Sequence, residues 1–330
     1  MSKLNATASP SEESVDERMI ALLKENGRRS IRDIARTLDV TERLVSTRFK
    51  HLTEADALRI ITVVDLFAAG FELIVAIGIT VTDRPVDEVA RELIQIPEVL
   101  SALEMSGQYQ LEILVAATSH ASLARIVQEK LRDIEGLVAL VPSICLDVYK
   151  YETGWGPFNI KQDEGLRVPD SSPIAALDRK VIAALWSDAR MTHQAIGTPL
   201  GLTEAAIRSR VVSLRDDNVM RVTAIGNVSP NDNRIFAFVG IHLTGSHHEK
   251  VIRQLIPLSS VRFAAIVLGR YDILVQVLVS DATALARLIN KIAALPEVHS
   301  VECRPTLRFW KYDYRWTVIT DATTSPSHER

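Results

Sequence analysis

The sequence predicts an α+β fold built twice in tandem. Three observations predict it. The chain repeats itself: "TERLVSTRFKHL" at Thr41–Leu52 returns as "TEAAIRSRVVSL" at Thr203–Leu214, an offset of 162 residues. Each copy opens with about 50 residues whose apolar positions recur at helical spacing. Each then continues with about 100 residues in which β-branched apolar runs alternate with amphipathic helical patterns.

The offset holds over most of the chain. Asp16 pairs with Asp178, Leu23 with Leu185, Arg28 with Arg190, Ile34 with Ile196, Arg48 with Arg210 and Arg59 with Arg221. "GQYQL" at Gly107–Leu111 meets "GRYDI" at Gly269–Ile273. Near the end the offset becomes 161, where "KYETGW" from Lys150 meets "KYDYRW" from Lys311. A period this long is no solenoid repeat; two complete subunits fused in one chain fit better. The joining stretch, residues 156–174, is rich in Gly, Pro, Ser and charge, which is linker composition.

Bulk composition narrows the classes. The 330 residues are 47% hydrophobic and 24% charged, the make-up of a globular protein long enough for several cores. No run of about 18 apolar residues exists, so no membrane span is expected. The polar ends, residues 1–14 and 320–330, read as disordered tails. Cys145 and Cys303 lie in strand-like surroundings, form no disulfide framework, and read as buried thiols in a reducing cytoplasm. The net charge of −3 excludes a polycation, so any nucleic-acid contact must come from a local patch.

In the first copy, Val15, Met19, Leu22 and Leu23 mark a first helix and "ENGRRS" ends it. Ile31, Ile34, Ala35 and Leu38 mark a second, and "DV" makes a turn. Thr41 is a good N-cap for a third, on which Val45, Phe49 and Leu52 face inward. The exposed face of that third helix then carries Arg43, Ser46, Thr47 and Lys50. Apolar β-branched segments follow each third helix, "RIITVVDL" and "RVTAIGNV". Three helices with a tight turn before the third suggest a winged helix-turn-helix, whose third helix enters the major groove of double-stranded DNA. Arg and Lys neutralise phosphates, and Arg, Lys, Ser and Thr read base edges.

Candidate DNA-binding residues are Arg28, Arg29, Arg43, Ser46, Thr47, Arg48 and Lys50, then Thr203, Arg208, Ser209 and Arg210. Arg48 and Arg210 have a second reading, as braces that hold the domain through a carboxylate. A helical module for protein contacts is the alternative for the whole segment. The copies differ: Arg43, Lys50 and His51 become Ala205, Val212 and Ser213. Gly197 and Pro199 stand in the second helix of copy two, where an interior proline costs about 3 kcal/mol. That helix is therefore expected to be short, and the grip on phosphate weaker.

The remainder of each copy reads strand "LIVAIGITV", helix "PVDEVARELIQI", strand "LSALEMS", turn, strand "QLEILVAA", helix "SHASLARIVQEKLRDI" and strand "LVALVPSICLDVYKY", and copy two repeats the order. This is βαββαβ, a ferredoxin-like sheet with two helices on one face. The open face is most economically covered by a second such sheet. The expected layout is winged helix-turn-helix domains at 15–64 and 175–226, and βαββαβ domains at 65–155 and 227–319.

A helix-turn-helix, a linking strand, then βαββαβ with "GRYD" in the central hairpin resembles the Lrp/AsnC (feast/famine) family of transcription regulators. The resemblance covers nearly the whole chain, once per half. It implies a sequence-specific DNA-binding regulator that is not an enzyme, self-association through the βαββαβ modules, and a small-molecule effector, commonly an amino acid, held near the hairpin loop. Carried over by position, those loop residues are Gly107, Gln108, Tyr109 and Gln110, then Gly269, Arg270, Tyr271 and Asp272. Asp272 is suited to an ammonium group, and Gln110 departs from the pattern. The alternative for both loops is a plain hairpin turn whose glycine supplies φ > 0.

No cofactor or metal is expected: His242, His247 and His248 lack further ligands at metal spacing, and no phosphate-binding glycine loop or nucleophile motif is present. Siroheme decarboxylases resemble the same plan and are the enzyme alternative. They need a His/Arg-rich pocket, for which only Arg234 and His242 offer themselves in the strand after the wing. A ligand-sensing protein that has lost DNA binding is the third reading.

Overall fold

The computed structural model describes residues 10–152, 154–156, 167–227 and 233–317. Most of the expected linker and the tail from 320 onward lie outside the described residues. In chain order the elements are α1 (Pro10–Glu25), α2 (Ile31–Leu38), α3 (Glu42–Glu54), β1 (Leu58–Asp65), β2 (Leu73–Val81), α4 (Val86–Leu93), β3 (Val99–Met105), β4 (Leu111–Ala117), α5 (His120–Arg125), β5 (Leu137–Tyr151) and β6 (Trp155–Gly156). The second copy supplies α6 (Ala176–Ser187), α7 (His193–Gly197), α8 (Glu204–Asp216), β7 (Met220–Asn227), β8 (Ile235–Leu243), α9 (His248–Leu255), β9 (Val261–Leu268), β10 (Ile273–Val279), α10 (Ala282–Ala293), β11 (Val298–Tyr312) and β12 (Trp316–Thr317). Helix α1 starts inside the segment expected to be a tail.

The chain divides into two compact units. One gathers the residues up to Val63, Gly154–Gly156 and Ala175–Asn227, so both helix-turn-helices lie in a single unit. The other holds both βαββαβ modules.

In the helical unit, equivalent side chains start equivalent helices. Ser30 Oγ accepts from Asp33 N at 3.0 Å, and Thr192 Oγ1 from Ala195 N at 3.2 Å. Thr41 and Thr203 do the same for Leu44 N and Ala206 N, each at 3.2 Å. Each cap satisfies one helix-end donor and contributes about 1 kcal/mol. The turn before α3 needs a left-handed residue: Asp39 (φ 56°) in copy one, Gly201 (φ 67°) in copy two. Copy two's second helix is shortened as its sequence implies: α7 has 5 residues and ends in the 3-10 turn Thr198–Leu200.

Strands β1 and β7 are hydrogen-bonded neighbours, and β6 runs parallel to β7. The wing of copy two also packs on the helices of copy one. Ala224 of β7 is fully buried in the cluster formed by Met19, Leu23, Ile34, Val45 and Leu58. Thr62 Oγ1 of β1 donates to Leu185 O at the end of α6 (2.9 Å).

The second unit is a closed eight-stranded barrel in the order β10-β8-β11-β3-β4-β2-β5-β9. Two 15-residue strands stitch it. β5 pairs with β2 over its first half and with β9 over its second; β11 pairs in turn with β8 and β3. Bulges at equivalent places, between Cys145/Asp147 and between Thr306/Arg308, let each strand change partners. Closure removes the free sheet face that each module alone leaves uncovered. Outward alternate residues such as Val75, Ile77 and Ile79 pack on α4 through Val89 and Leu93, and Val239 and Ile241 pack on α9 through Val251 and Leu255. Cys145 and Cys303 sit in β5 and β11 as half-buried free thiols, and burial raises the Cys145 pKa to about 12.

Candidate nucleic-acid interface and effector loops

The turn between α2 and α3 points α3 outward, and its polar stripe faces solvent. Arg43, Ser46, Thr47 and Lys50 are all exposed, while Val45 on the opposite side is fully buried. Lys50 makes a loose i,i+4 pair with Glu54, 3.7 Å between two exposed groups, worth a few tenths of a kcal/mol. On α8, Thr203, Arg208 and Ser209 are exposed as well, but Arg208 is tied to Glu204 one turn back. The exposed face of α8 thus carries less free positive charge than that of α3.

Three of the expected DNA contacts are engaged within the protein. Arg48 faces inward: its Nε donates to Asp16 Oδ1 at 2.8 Å and its Nη2 to Asp16 Oδ2, with both side chains mostly buried. The brace reading is the one the fold uses, and Asp16 is what holds α3 against α1. Arg210 reaches Asp178 Oδ2 at 3.3 Å from a half-exposed position, a looser version of the same brace. Arg28 is the third. Its Nη1 and Nη2 donate to Ala189 O (2.8 Å) and Met191 O (2.7 Å), so its charge lies in the seam between the two helix-turn-helices. Its equivalent Arg190 reciprocates, donating to Arg29 O at 3.2 Å and lying 5.2 Å over the Phe49 ring. Burial, then the neighbouring Arg190, lowers the Arg28 pKa. Arg29 keeps a 3.9 Å pair with Glu25.

In the barrel unit the two hairpin loops meet each other. Tyr109 and Tyr271 are buried, their rings lying flat on Gly78 and Gly240, where a Cβ would come within 2.4 Å of ring carbons in either case. Gln110 Oε1 accepts from Val81 N at 3.1 Å, and Asp272 Oδ2 from Leu243 N at 2.8 Å. The two residues therefore do the same local work despite the sequence departure. The plain-turn reading needs φ > 0 at both glycines; Gly107 has it (φ 122°), and Gly269 does not. Gly269 is instead demanded by space, since a Cβ there would lie 2.4 Å from Pro142 O.

Arg270 donates to Gln108, to Tyr109 Oη (2.9 Å) and to Glu302 Oε2 (2.7 Å). Behind it lies a pair that sequence reasoning missed. Arg304, fully buried, pairs with the equally buried Glu112 and stands 3.7 Å from Glu302. Its guanidinium also lies 5.3 Å from the Tyr109 ring centre and 5.6 Å from that of Tyr271. Burial raises the Glu112 pKa and Arg304 opposes this. The signal was present in the repeat: Arg304 stands where copy one has Ser143, and Glu112 where copy two has Leu274.

Beside Asp272 a groove of about 460 Å³ opens between β5, β9 and the start of α9, lined by Asp147, Tyr149, His247, His248, Lys250 and Ile266. His248 Nε2 is 3.8 Å from Asp272 Oδ1. At the equivalent place in the first half, Trp310 stands for Tyr149. Arg308 covers it at 3.9 Å from its ring centre, and Arg91 lies at 5.8 Å.

Comparison with known proteins agrees with this geometry. The Lrp/AsnC ligand binding domain matches residues 74–155 and 236–316. An AsnC-type helix-turn-helix domain matches 176–215, and a winged helix-turn-helix DNA-binding domain matches 13–59. An uncharacterised HTH-type transcriptional regulator of Pyrococcus furiosus is 31% identical over 140 residues, 42% of this chain and 95% of that one. One from Pyrococcus horikoshii is 28% identical over 140 residues, 42% and 89% of the two chains. Each is nearly spanned by less than half of this chain. Among solved structures, the siroheme decarboxylase NirDL aligns over 90% of this chain and 92% of its own, with a TM-score of 0.64 and 13% identity. At that identity the likeness is one of fold.

Proposed function

Because the chain belongs to the Lrp/AsnC family, with two helix-turn-helix and two ligand-binding modules in one polypeptide, we propose that it is a sequence-specific DNA-binding transcription regulator that responds to a small effector. The observation that carries the reading is the solvent-facing stripe Arg43, Ser46, Thr47 and Lys50 on α3, set beside inner-face arginines already engaged within the protein. Phosphates are neutralised by the exposed cations, and Ser46 and Thr47 are placed to meet base edges. On α8, Thr203, Arg208 and Ser209 remain for this, so the operator is asymmetric: one half-site held tightly, the other loosely. The effector, an amino acid or similar zwitterion, is taken in the second half, where the open groove adjoins Asp272 and His248. Asp272, beside the groove, offers a carboxylate to an ammonium group, and Lys250, which also pairs with Glu297, is the lining cation that faces a carboxylate. Further self-association through the barrel unit belongs to the same reading.

The test is selection of bound duplexes from sheared genomic DNA, followed by footprinting at two salt concentrations. A protected site with unequal half-sites and a steep salt dependence supports the proposal. Enrichment no better than random DNA at low salt refutes it.

A second reading, a siroheme-decarboxylase-like enzyme, is favoured by the fold likeness over the whole chain. His242 lies 5.3 Å from the Tyr271 ring, next to the loop cluster. Titration with siroheme, read as a Soret-band shift, separates the two: saturable binding supports the enzyme, and an unshifted band sets it aside.

A further inference from the structure

The two helix-turn-helices are not beads on a linker; they share one core. Gly27 N donates to Val222 O at 2.8 Å, and Thr223 Oγ1 donates to Lys24 O at 2.8 Å, so the wing of copy two is tied to the end of α1. There is no room between them: a Cβ on Gly27 would lie 2.8 Å from Ile60 of its own wing and 3.0 Å from Thr223 N of the other. Ala224 fills the core of copy one. Thr62 returns the exchange by donating to Leu185 O, and Asn227 bonds to the carbonyls of Asp56 and Ala57. Arg28 and Arg190 close the seam reciprocally, each giving its charge to backbone carbonyls of the opposite copy.

Separating the copies would leave two guanidinium groups and several backbone carbonyls without partners and open a core to water, a set of losses that add unfavourably. We propose that α3 and α8 form one indivisible reading head that accepts a single half-site spacing. This rests on the regulator reading and extends it to the geometry of the DNA partner: a duplex with two unequal half-sites at one fixed separation, not a family of sites with variable spacers. A tethered pair of domains tolerates inserted base pairs; a fused pair does not. One inserted pair turns a half-site by about 34° around the helix axis, out of register with a helix that cannot follow.

The experiment uses the full chain and the duplex selected above, with zero, one, two or ten base pairs inserted between half-sites. Loss of affinity by about 10- to 100-fold for every insertion, the ten-pair one included, is expected, since each leaves one half-site unread. Binding within threefold across the series overturns the fixed-spacing claim alone. In parallel, spin labels at His51→Cys and Ser213→Cys, equivalent exposed positions on α3 and α8, are placed in a C145S/C303S background. One narrow distance distribution, unchanged on adding DNA and broadened by R28A/R190A, is expected. A broad or shifting distribution in the unaltered seam overturns the fused head. If no duplex binds while the distribution stays narrow, it is the regulator reading that has failed, and the spacing claim falls with it.

Discussion

Replacing Arg304 by the serine that stands at the equivalent position in the other half tests how the barrel tolerates a buried charge pair. Arg304 and Glu112 are both almost wholly buried, and Arg304→Ser leaves the Glu112 carboxylate without its main partner. Removing one member of such a pair costs about 3–5 kcal/mol. Glu112→Leu should cost less, because Arg304 keeps Glu302 at 3.7 Å and the rings of Tyr109 and Tyr271. The double variant R304S/E112L gives the two positions the residues that already stand at their equivalents, Ser143 in copy one and Leu274 in copy two. It should lose no more than about 2 kcal/mol, a coupling of several kcal/mol between the two sites. Urea unfolding followed by far-UV circular dichroism measures all four proteins, with the denaturant slope unchanged. The pH dependence gives a second check. The Glu112 pKa is already raised by burial and rises further without Arg304. A carboxyl group whose folded pKa is raised contributes fully below its unfolded value and loses that contribution as pH rises through the folded one. The R304S deficit should therefore be smaller at pH 5 than at pH 8. Additive single effects, or a deficit that grows on acidification, would refute the reasoning.

Three further outcomes are expected. Changing Arg43 and Lys50 to Ala should weaken DNA binding more than Arg208→Ala does. It should also flatten the logarithmic salt slope by about 0.9 for each phosphate no longer neutralised; gel shifts at several salt concentrations decide, and the reverse order removes the tight and loose half-site assignment. Arg48→Ala, which strands the mostly buried Asp16, should lower stability by about 3 kcal/mol while leaving the footprint's sequence unchanged, as seen by thermal unfolding and footprinting of the same preparation. Gly240→Ala places a methyl 2.4 Å from the Tyr271 ring and should cost about 1–3 kcal/mol by overpacking; an unshifted melting temperature would show that Tyr271 is free to move.

What could be read from the sequence was what repeats locally. Thr41 and Thr203 cap helices as their positions imply, and Pro199 shortens the second helix of copy two because a proline ring cannot donate within a helix. The βαββαβ order and the need to cover its open face were legible from alternation alone. What escaped were contacts between residues far apart in sequence. Arg28 looked like a phosphate ligand because its partners, the carbonyls of Ala189 and Met191, lie 161 and 163 residues away. The repeated "KY" was visible as a motif and silent as to purpose. Lys150 Nζ donates to Ile256 O and Leu258 O, and Lys311 Nζ to Ile94 O and Ile96 O. Each therefore caps a helix of the opposite half, a role that exists only once β5 and β11 cross over.

The positions at which the two copies differ fall into two physical groups, and the difference bears on why fusion matters. On the surface, Arg43 and Lys50 face Ala205 and Val212 across the repeat, and such exposed changes cost little stability. Inside the barrel, Arg304 answers Ser143, Glu112 answers Leu274, and in the loops Arg270 answers Gln108, to which it donates. At these positions a barrel closed from two first halves would hold two buried glutamates and no arginine; one closed from two second halves would hold two buried arginines without Glu112, each left with Glu302 at 3.7 Å. The first leaves uncompensated charge in an apolar interior, costing several kcal/mol per ion, and the second leaves each arginine with its weaker partner alone. A symmetric dimer cannot place an arginine on one side of its axis and a glutamate on the other, whereas a single chain can. The buried pair thus fixes first half to second half, and the exposed faces of α3 and α8 are free to diverge.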